Sequence, residues 1–287
     1  MKKMRLLMLL ICTVMLCACA AEENNSNTLV SDPAVPEQEK EEVVKSSDPV
    51  YRYEEQVASR KFTDEESGNI YATYSYSVPM MDIANADELT DEALAIAQRN
   101  VESFNTYMQE VLDKAVAFGE ETAQDLAGGS LAMHSGAPAA DEKELTATQT
   151  GQVITVRTDG YFYSGGAHPY GYVDSYTFDL TVGQFIDPTQ IGDDPEAFRV
   201  KAATLLVAQA ESLGEEYTAG YWDDYAEIIS HWNEAAVLFD DAGMTVIFSA
   251  YELGPYAMGP VELFLTYDEL ADAIGEGGLT HLGVSLG

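Results

Sequence analysis

The segment with the most distinctive side chains is a tyrosine-rich run that ends in a tight turn and a histidine. It is Tyr-Phe-Tyr-Ser-Gly-Gly-Ala-His, from residue 161 to 168. Gly165 and Gly166, with the small Ala167 beside them, allow the backbone to turn tightly. His168 carries the side chain that exchanges a proton near neutral pH, so it is a candidate base or pH-sensitive contact. A structural histidine is the alternative, because neither an acid nor a nucleophile lies beside it in sequence.

A second segment, 251–260, joins two predicted strands through glycines, prolines and aromatic residues. Tyr256 and Met258 are candidate contacts with a partner, because exposed aromatic side chains anchor interfaces. The alternative is a wide connection packed on the core. The turns of this segment are predicted to be shaped by Gly254, Pro255 and Gly259.

The sequence contains none of the common catalytic motifs. It has no H-E-x-x-H zinc pair, no G-x-S-x-G nucleophile turn, no P-loop and no G-x-G-x-x-G loop. Aspartate pairs at 193–194, 223–224 and 240–241 lack the spacing of a calcium loop, which favours caps and turns. We therefore predict no catalytic residue, no metal site and no cofactor.

The N-terminus has the pattern of a lipoprotein export signal. Basic residues within the first five positions precede an uncharged apolar run at 6–16, too short for the roughly 20 residues that span a bilayer. Leu16-Cys17-Ala18-Cys19 then matches a lipobox, with a small residue before Cys19. We predict a signal peptide at 1–18, lipidation of Cys19 and an extracytoplasmic protein anchored to a bacterial membrane. An ordinary secretory signal cut nearby is the alternative.

The chain is strongly acidic, with 49 Asp and Glu against 14 Lys and Arg and a net charge of −35. Removing the predicted signal takes away basic residues and no acidic one, which leaves about −38. Binding to nucleic-acid phosphates requires a basic face, so we exclude nucleic acid as a partner. A cationic protein would be attracted to this surface, whereas bare anionic lipid would be repelled.

Beyond the signal, the sequence divides into a tether and two folded parts. Residues 19–50 are acidic and contain few apolar side chains, which predicts a disordered tether. We predict an N-terminal α+β domain at 51–182, a smaller C-terminal α+β domain at 183–278 and a tail at 279–287. The fold class is α+β, with a long helix packed on an antiparallel sheet and then a helix-and-hairpin part.

In the first part, alternation and helical spacing locate the elements. Residues 70–78 alternate and predict a strand stopped by Pro79, and further strands are predicted at 153–156, 161–163 and 172–180. Between them, Thr90 is the predicted N-cap of a long helix that Gly128-Gly129 ends, followed by a loop over 128–142. The apolar stripe of that helix consists of Leu94, Ala97, Val101, Phe104, Met108, Val111, Ala115 and Phe118.

In the second part, Asp194-Pro195 is typical of a helix start, and Gly214 of its end. A shorter helix is predicted at 221–232, a hairpin at 236–250 and a strand at 261–265. Thr266 then begins a final helix that Gly275 ends.

Four motifs, taken in order, resemble the RsiV-type extracellular domain. They are the tyrosine run with its Gly-Gly-Ala-His turn, Thr-Phe-Asp-Leu at 177–180, Tyr-Glu-x-x-Pro-Tyr-Ala-x-Gly at 251–259 and Leu-x-Tyr-Asp-Glu-Leu at 265–270. The resemblance covers about residues 55 to 275. It implies a two-part α+β fold and the outer portion of lysozyme-sensing anti-sigma factors, a domain that also precedes some peptidoglycan deacetylase domains.

Only five residues precede the apolar run and no deacetylase domain follows residue 287, so the resemblance implies the sensor or binding half alone. The leading hypothesis is a non-catalytic surface lipoprotein that binds lysozyme or cell-wall glycan (peptidoglycan). The alternatives are an enzyme acting on cell-wall polymer, with His168 and either Asp174 or Asp179, and an accessory lipoprotein without a ligand. The candidate binding residues are His168, Tyr170, Tyr172, Tyr256 and Met258.

Overall fold

The computed structural model describes residues 45–127, 137–214 and 220–285. The signal, Cys19, residues 20–44 of the predicted tether and Gly128-Gly129 lie outside these ranges. The described residues gather into one compact unit. Among the described helices, none combines the length and the apolar character needed to cross a membrane.

The larger of two sheets has six strands in chain order. Its strands are β1 (Tyr51–Thr63), β2 (Ile70–Ile83), β3 (Ala139–Thr150), β4 (Val153–Tyr163), β5 (Tyr170–Asp179) and β6 (Gln184–Ile186). All neighbours are antiparallel except β2 and β3, which are parallel. Helix α1 (Asp91–Ala127) connects those two strands as a crossover. The sheet that we predicted as antiparallel therefore contains one parallel pair.

Two strands of this sheet, β1 and β3, were missed because polar strands give a weak signal, and β2 was predicted to end too early. β1 is an edge strand and carries charged residues, a common protection of free sheet edges. β3 begins at Ala139, inside the predicted loop. β2 continues through Pro79, which lies beyond the stretch of β2 that pairs with β3, so its missing N–H does not interrupt that ladder.

Helix α1 packs one stripe against the sheet, and Thr90 accepts a hydrogen bond from the N–H of Ala93 at 3.2 Å, as an N-cap does. The stripe is rotated from the predicted one, since Phe118 is 46% exposed and Leu112 and Gly119 face inward. The buried residues are Ala93, Ala97, Asn100, Phe104, Met108, Leu112, Ala115, Gly119, Ala123 and Leu126. Small residues on the inner face let α1 approach the tyrosines of β2 closely.

The second part combines helices with a three-stranded antiparallel sheet. Its elements are α2 (Pro195–Ser212), α3 (Tyr225–Ser230), β7 (Ala236–Phe239), β8 (Gly243–Phe248), β9 (Val261–Thr266) and α4 (Tyr267–His281). Short 3₁₀ turns occupy Ala86–Glu88, Pro188–Ile191, Trp232–Glu234 and Tyr256–Met258. The helix predicted at 221–232 is thus shorter, and α3 is followed by a 3₁₀ turn.

The final helix continues past Gly275, where we predicted its end. Gly275 has a φ of 84° and breaks the helical geometry, but the chain resumes the helix after it. The carboxylate of Asp193 accepts hydrogen bonds from the N–H groups of Gly277 (3.2 Å) and Gly278 (3.0 Å) and so caps the second segment.

The second part lies on the face of β4 and β5 opposite to α1. Ile154 and Phe178 join the core under α1, whereas their neighbour Val153 joins the core of the second part, with Val237 and Phe239. Alternation along β4 therefore supplies both cores from one strand.

Gly119 gives the first fold prediction, because alanine there would place a Cβ 2.6 Å from the Tyr76 hydroxyl and 2.7 Å from Cδ1 of Tyr74. A helical Gly→Ala change normally stabilises by about 1 kcal/mol. Overpacking reverses the sign here, and we expect Gly119→Ala to lower the free energy of unfolding by about 1–3 kcal/mol. Urea denaturation measures it, with the exposed Glu121→Ala as control; a stabilised Gly119→Ala would contradict the close packing.

A second stability prediction concerns Asp179, whose Oδ1 lies 3.2 Å from Nε2 of His281 on α4. Burial raises the pKa of Asp179, but His281 and the amides of Thr181 and Val182 outweigh it and hold that pKa below its ordinary value. The resulting stabilisation is complete above the unfolded-state pKa of about 4 and is lost as pH falls through the folded-state pKa.

We expect Asp179→Asn to lower the free energy of unfolding by about 1–2 kcal/mol at pH 6, and the gap to the unchanged protein to shrink at pH 3. Denaturant titrations at both pH values measure it, with the exposed Asp241→Asn as control. An equal gap at both pH values would show that the charge of Asp179 is not what stabilises the contact.

Candidate functional site

The two segments that the sequence marked separately meet in space. His168 lies in the connection between β4 and β5, and Tyr256 in the connection between β8 and β9. Their rings stack with centroids 3.9 Å apart and planes 15° apart. The hydroxyl of Tyr251 lies 3.3 Å from Nε2 of His168. An exposed surface is thereby built jointly by both parts of the fold.

The hydrogen-bond partners of His168 favour one tautomer of its neutral ring. Nδ1 lies 2.9 Å from the carbonyl oxygen of Pro169, which can only accept, so Nδ1 carries the proton. Nε2 then accepts from the hydroxyl of Tyr251. In the described part of the chain, no carboxylate is hydrogen-bonded to His168. The imidazole therefore lacks the orienting acid of a typical catalytic histidine.

Two further predicted contacts extend this surface along β5. The rings of Tyr170 and Tyr172 stack at 5.8 Å, and Tyr170 lies 6.5 Å from Tyr251. Four of the five candidate binding residues thus lie together. We call this surface the aromatic platform, and its members are His168, Tyr170, Tyr172, Tyr251 and Tyr256.

The fifth candidate, Met258, is placed differently. It is half-buried and packs against the core of the second part. A Cβ on Gly254 would lie 2.6 Å from its sulfur, so glycine at 254 makes room for the methionine. The structure therefore gives Met258 a packing role beside the platform and does not bring it into the ring cluster.

The predicted turn glycines adopt backbone conformations that favour glycine. Gly165 and Gly166 have φ angles of 103° and 110°, and Gly259 has a φ of 74°. Ala167 follows in the exposed tip, and Pro255 precedes the 3₁₀ turn that carries Tyr256.

Sequence reasoning missed Tyr251 and Trp222. Tyr251 is 47% exposed and is the one non-glycine residue with positive φ (75°) in the described ranges. Trp222 is 40% exposed, and its indole N–H donates to the carbonyl oxygen of Tyr251 at 3.1 Å. A tyrosine gives no sequence signal for a left-handed backbone, so only the structure reveals this strained residue.

Carboxylates border an open cavity of about 330 Å³ beside the platform, lined in part by Asp174, Glu234, Glu252 and Ser249. Burial raises the pKa of Asp174, and burial together with the charge of Asp174 raises that of Glu252. The N–H of Ser249 donates to Glu252 at 2.6 Å. Among the residues described, no lysine or arginine forms an ion pair with these three carboxylates, so the cavity is acidic.

The acids named for the enzyme alternative lie apart from His168. Asp179 contacts His281, and Asp174 accepts a hydrogen bond from the N–H of Ser175 at 2.7 Å. Neither is hydrogen-bonded to His168. In the described ranges, no group of three or more His, Cys, Asp or Glu side chains is arranged to hold a metal ion.

The backbone strain at Tyr251 can be tested by comparing the stability of a valine and a glycine variant at this position. Val retains apolar contact that Gly lacks, but a β-branched residue disfavours positive φ. We expect Tyr251→Val to be less stable than Tyr251→Gly by about 1–2 kcal/mol. At Tyr256, whose φ is not positive, the order should be equal or reversed. Thermal and urea denaturation of the four variants measure it, and the same order at both sites would contradict the strain.

Residues 209–268 match the profile of a family described as "Protein of unknown function (DUF3298)". No curated protein matches the chain. The crystal structure of a DUF3298 family member from Bacteroides fragilis NCTC 9343 is similar with a TM-score of 0.57 and 16% identity, covering 82% of this chain and 97% of that chain. The crystal structure of a DUF3298 family protein from Pseudomonas aeruginosa PAO1 has a TM-score of 0.44 and 14% sequence identity, and the match covers 81% of this chain and 98% of that chain. The chain therefore contains a DUF3298 match and shares the overall fold of the Bacteroides protein.

Proposed function

We propose that this protein is a non-catalytic binding module, carried on the cell surface by a lipid on Cys19, and that its ligand contacts the aromatic platform. The ligand is a cationic protein such as lysozyme, or cell-wall glycan. The observation that carries the proposal is the convergence of His168 with Tyr251 and Tyr256 on one exposed surface. The resemblance to the RsiV-type domain supports the same reading.

The energetics of the platform support a binding role. Exposed aromatic rings gain nothing from the hydrophobic effect until a partner covers them. Tyr251 is in addition held at a φ of 75°, which costs about 1–3 kcal/mol and must be offset by the surrounding fold. Strain and exposure at the same residue are typical of a surface shaped for a ligand.

The charge of the chain supports an electrostatic contribution when the ligand is a cationic protein. The acidic cavity borders the platform, and the whole chain carries a net charge of −35. Such a field accelerates encounter with a cationic partner and is screened by salt, with a Debye length of about 10 Å at 0.1 M.

The first test is calorimetric titration of residues 20–287 with hen lysozyme and with purified peptidoglycan, at low and high salt. We expect binding to at least one ligand, and Tyr251→Ala and Tyr256→Ala each to weaken it about tenfold, since central aromatic residues dominate interface energy. Salt should weaken binding to lysozyme more than binding to glycan.

Tyr161→Ala is the matched control, because Tyr161 is 39% exposed and alternation along β4 places it on the sheet face opposite to Tyr172, which pairs with its neighbour Gly160. It should leave affinity unchanged. Absence of binding to both ligands would overturn the proposed function. Equal losses from Tyr161→Ala and Tyr256→Ala would remove the platform as the contact surface.

A further inference from the structure

Strand β5 carries a row of side chains that begins in the aromatic platform and continues beyond it. Tyr170, Tyr172, Asp174 and Tyr176 are alternate residues, so they project from one face about 6.6 Å apart. Each is half-buried or exposed. The row spans about 20 Å from the platform toward β6.

A second cavity, of about 340 Å³, lies at the far end of the row. Its aromatic wall is made by Tyr107, Tyr176 and Phe185, with Tyr107 and Phe185 stacked at 4.1 Å and Tyr107 and Tyr176 edge-on at 5.6 Å. Asn233 and Asp187 line it too, and the amide of Asn233 donates to Asp187 at 3.0 Å. The cavity therefore combines ring faces with hydrogen-bonding groups.

The two cavities adjoin, because Ala235 lines both of them. Tyr170 and Tyr172 line one, and Tyr176 lines the other. Asp174 stands between the tyrosines and lines the first. Together they form a groove along β5, with aromatic rings at both ends and polar side chains between.

The edge of β5 along this groove does not offer a ladder to an added peptide strand. β6 pairs only with residues 177–179. Further along β5, the N–H of Val173 already donates a hydrogen bond to Ser249 Oγ (3.0 Å), and its carbonyl oxygen accepts one from the Ser249 hydroxyl (3.1 Å). The N–H of Ser175 is bonded to Asp174. A polypeptide bound by β-augmentation would lack these partners.

We propose that the groove along β5 binds a linear polysaccharide strand, whose sugar rings stack on Tyr170, Tyr172 and Tyr176. The proposal deepens the proposed function, on which it rests, by naming one ligand class. Flat ring faces suit the apolar faces of sugars, and the carboxylates and the Asn233 amide suit their hydroxyl groups. The spacing along the strand favours an extended polymer over a single sugar.

The test uses β-1,4-linked N-acetylglucosamine oligomers of two to six units and residues 20–287. We expect the hexamer to bind at least tenfold more tightly than the dimer, because it covers more of the row. Tyr176→Ala should weaken hexamer binding about tenfold, and Tyr176→Phe, which keeps the ring, should restore most of it. Tyr161→Ala should have no effect.

Hydroxyl-radical footprinting of the unsubstituted protein avoids any doubt about folding of the variants. The hexamer should protect Tyr170, Tyr172 and Tyr176 and leave Tyr161 unprotected. Affinity independent of length, or no protection of Tyr176, overturns the groove. If lysozyme binds and no oligomer does, the polysaccharide proposal fails while the binding function stands; if neither binds, both fail.

Discussion

The structure depends on the hydrogen bonds that attach the second part to the face of β4 and β5 opposite to α1. Main-chain groups of β7 are bonded there by hydroxyl groups: the N–H of Val237 donates to Ser175 Oγ at 2.7 Å and that of Phe239 to Thr155 Oγ1 at 3.4 Å. Ser249 does the same for Val173. Each hydroxyl accepts a hydrogen bond that the carbonyl of a neighbouring strand would accept in a continuous sheet. The backbone N–H groups of Val173, Val237 and Phe239 therefore remain paired where the two parts pack together.

This fastening positions the platform. Ser249 directly follows β8 and leads into Tyr251, and its bond to Val173 sets the distance between the β8–β9 connection and β5. The chain must then turn sharply, and the positive φ of Tyr251 is where it does so. Because two directional hydrogen bonds between Ser249 and Val173 hold this connection on β5, the fold can keep Tyr251 strained and its ring exposed.

The sequence predicts the elements that have strong apolar periodicity and the turns that need glycine or proline. The α2 start at Asp194-Pro195, the N-cap at Thr90 and the β7–β8 hairpin all follow from local chemistry. Elements fixed by non-local pairing do not: β1 and β3 are polar, and the parallel pairing of β2 with β3 depends on where α1 lies. Of the candidate site, the sequence motifs predicted four of the five platform residues, but neither Tyr251 nor its strained backbone.

The crossover through α1 also determines the order in which the sheet can assemble. Antiparallel neighbours β1–β2 and β3–β4–β5 are joined by short connections, whereas β2 and β3 come together across the whole of α1. The hydroxyl of Tyr76 reaches Asp141, 65 residues later in the chain. Distant pairings of this kind close a long loop before they gain any contact and therefore slow folding. The sheet should form as two locally folded blocks that join around α1, with the β2–β3 seam as the last ladder to close.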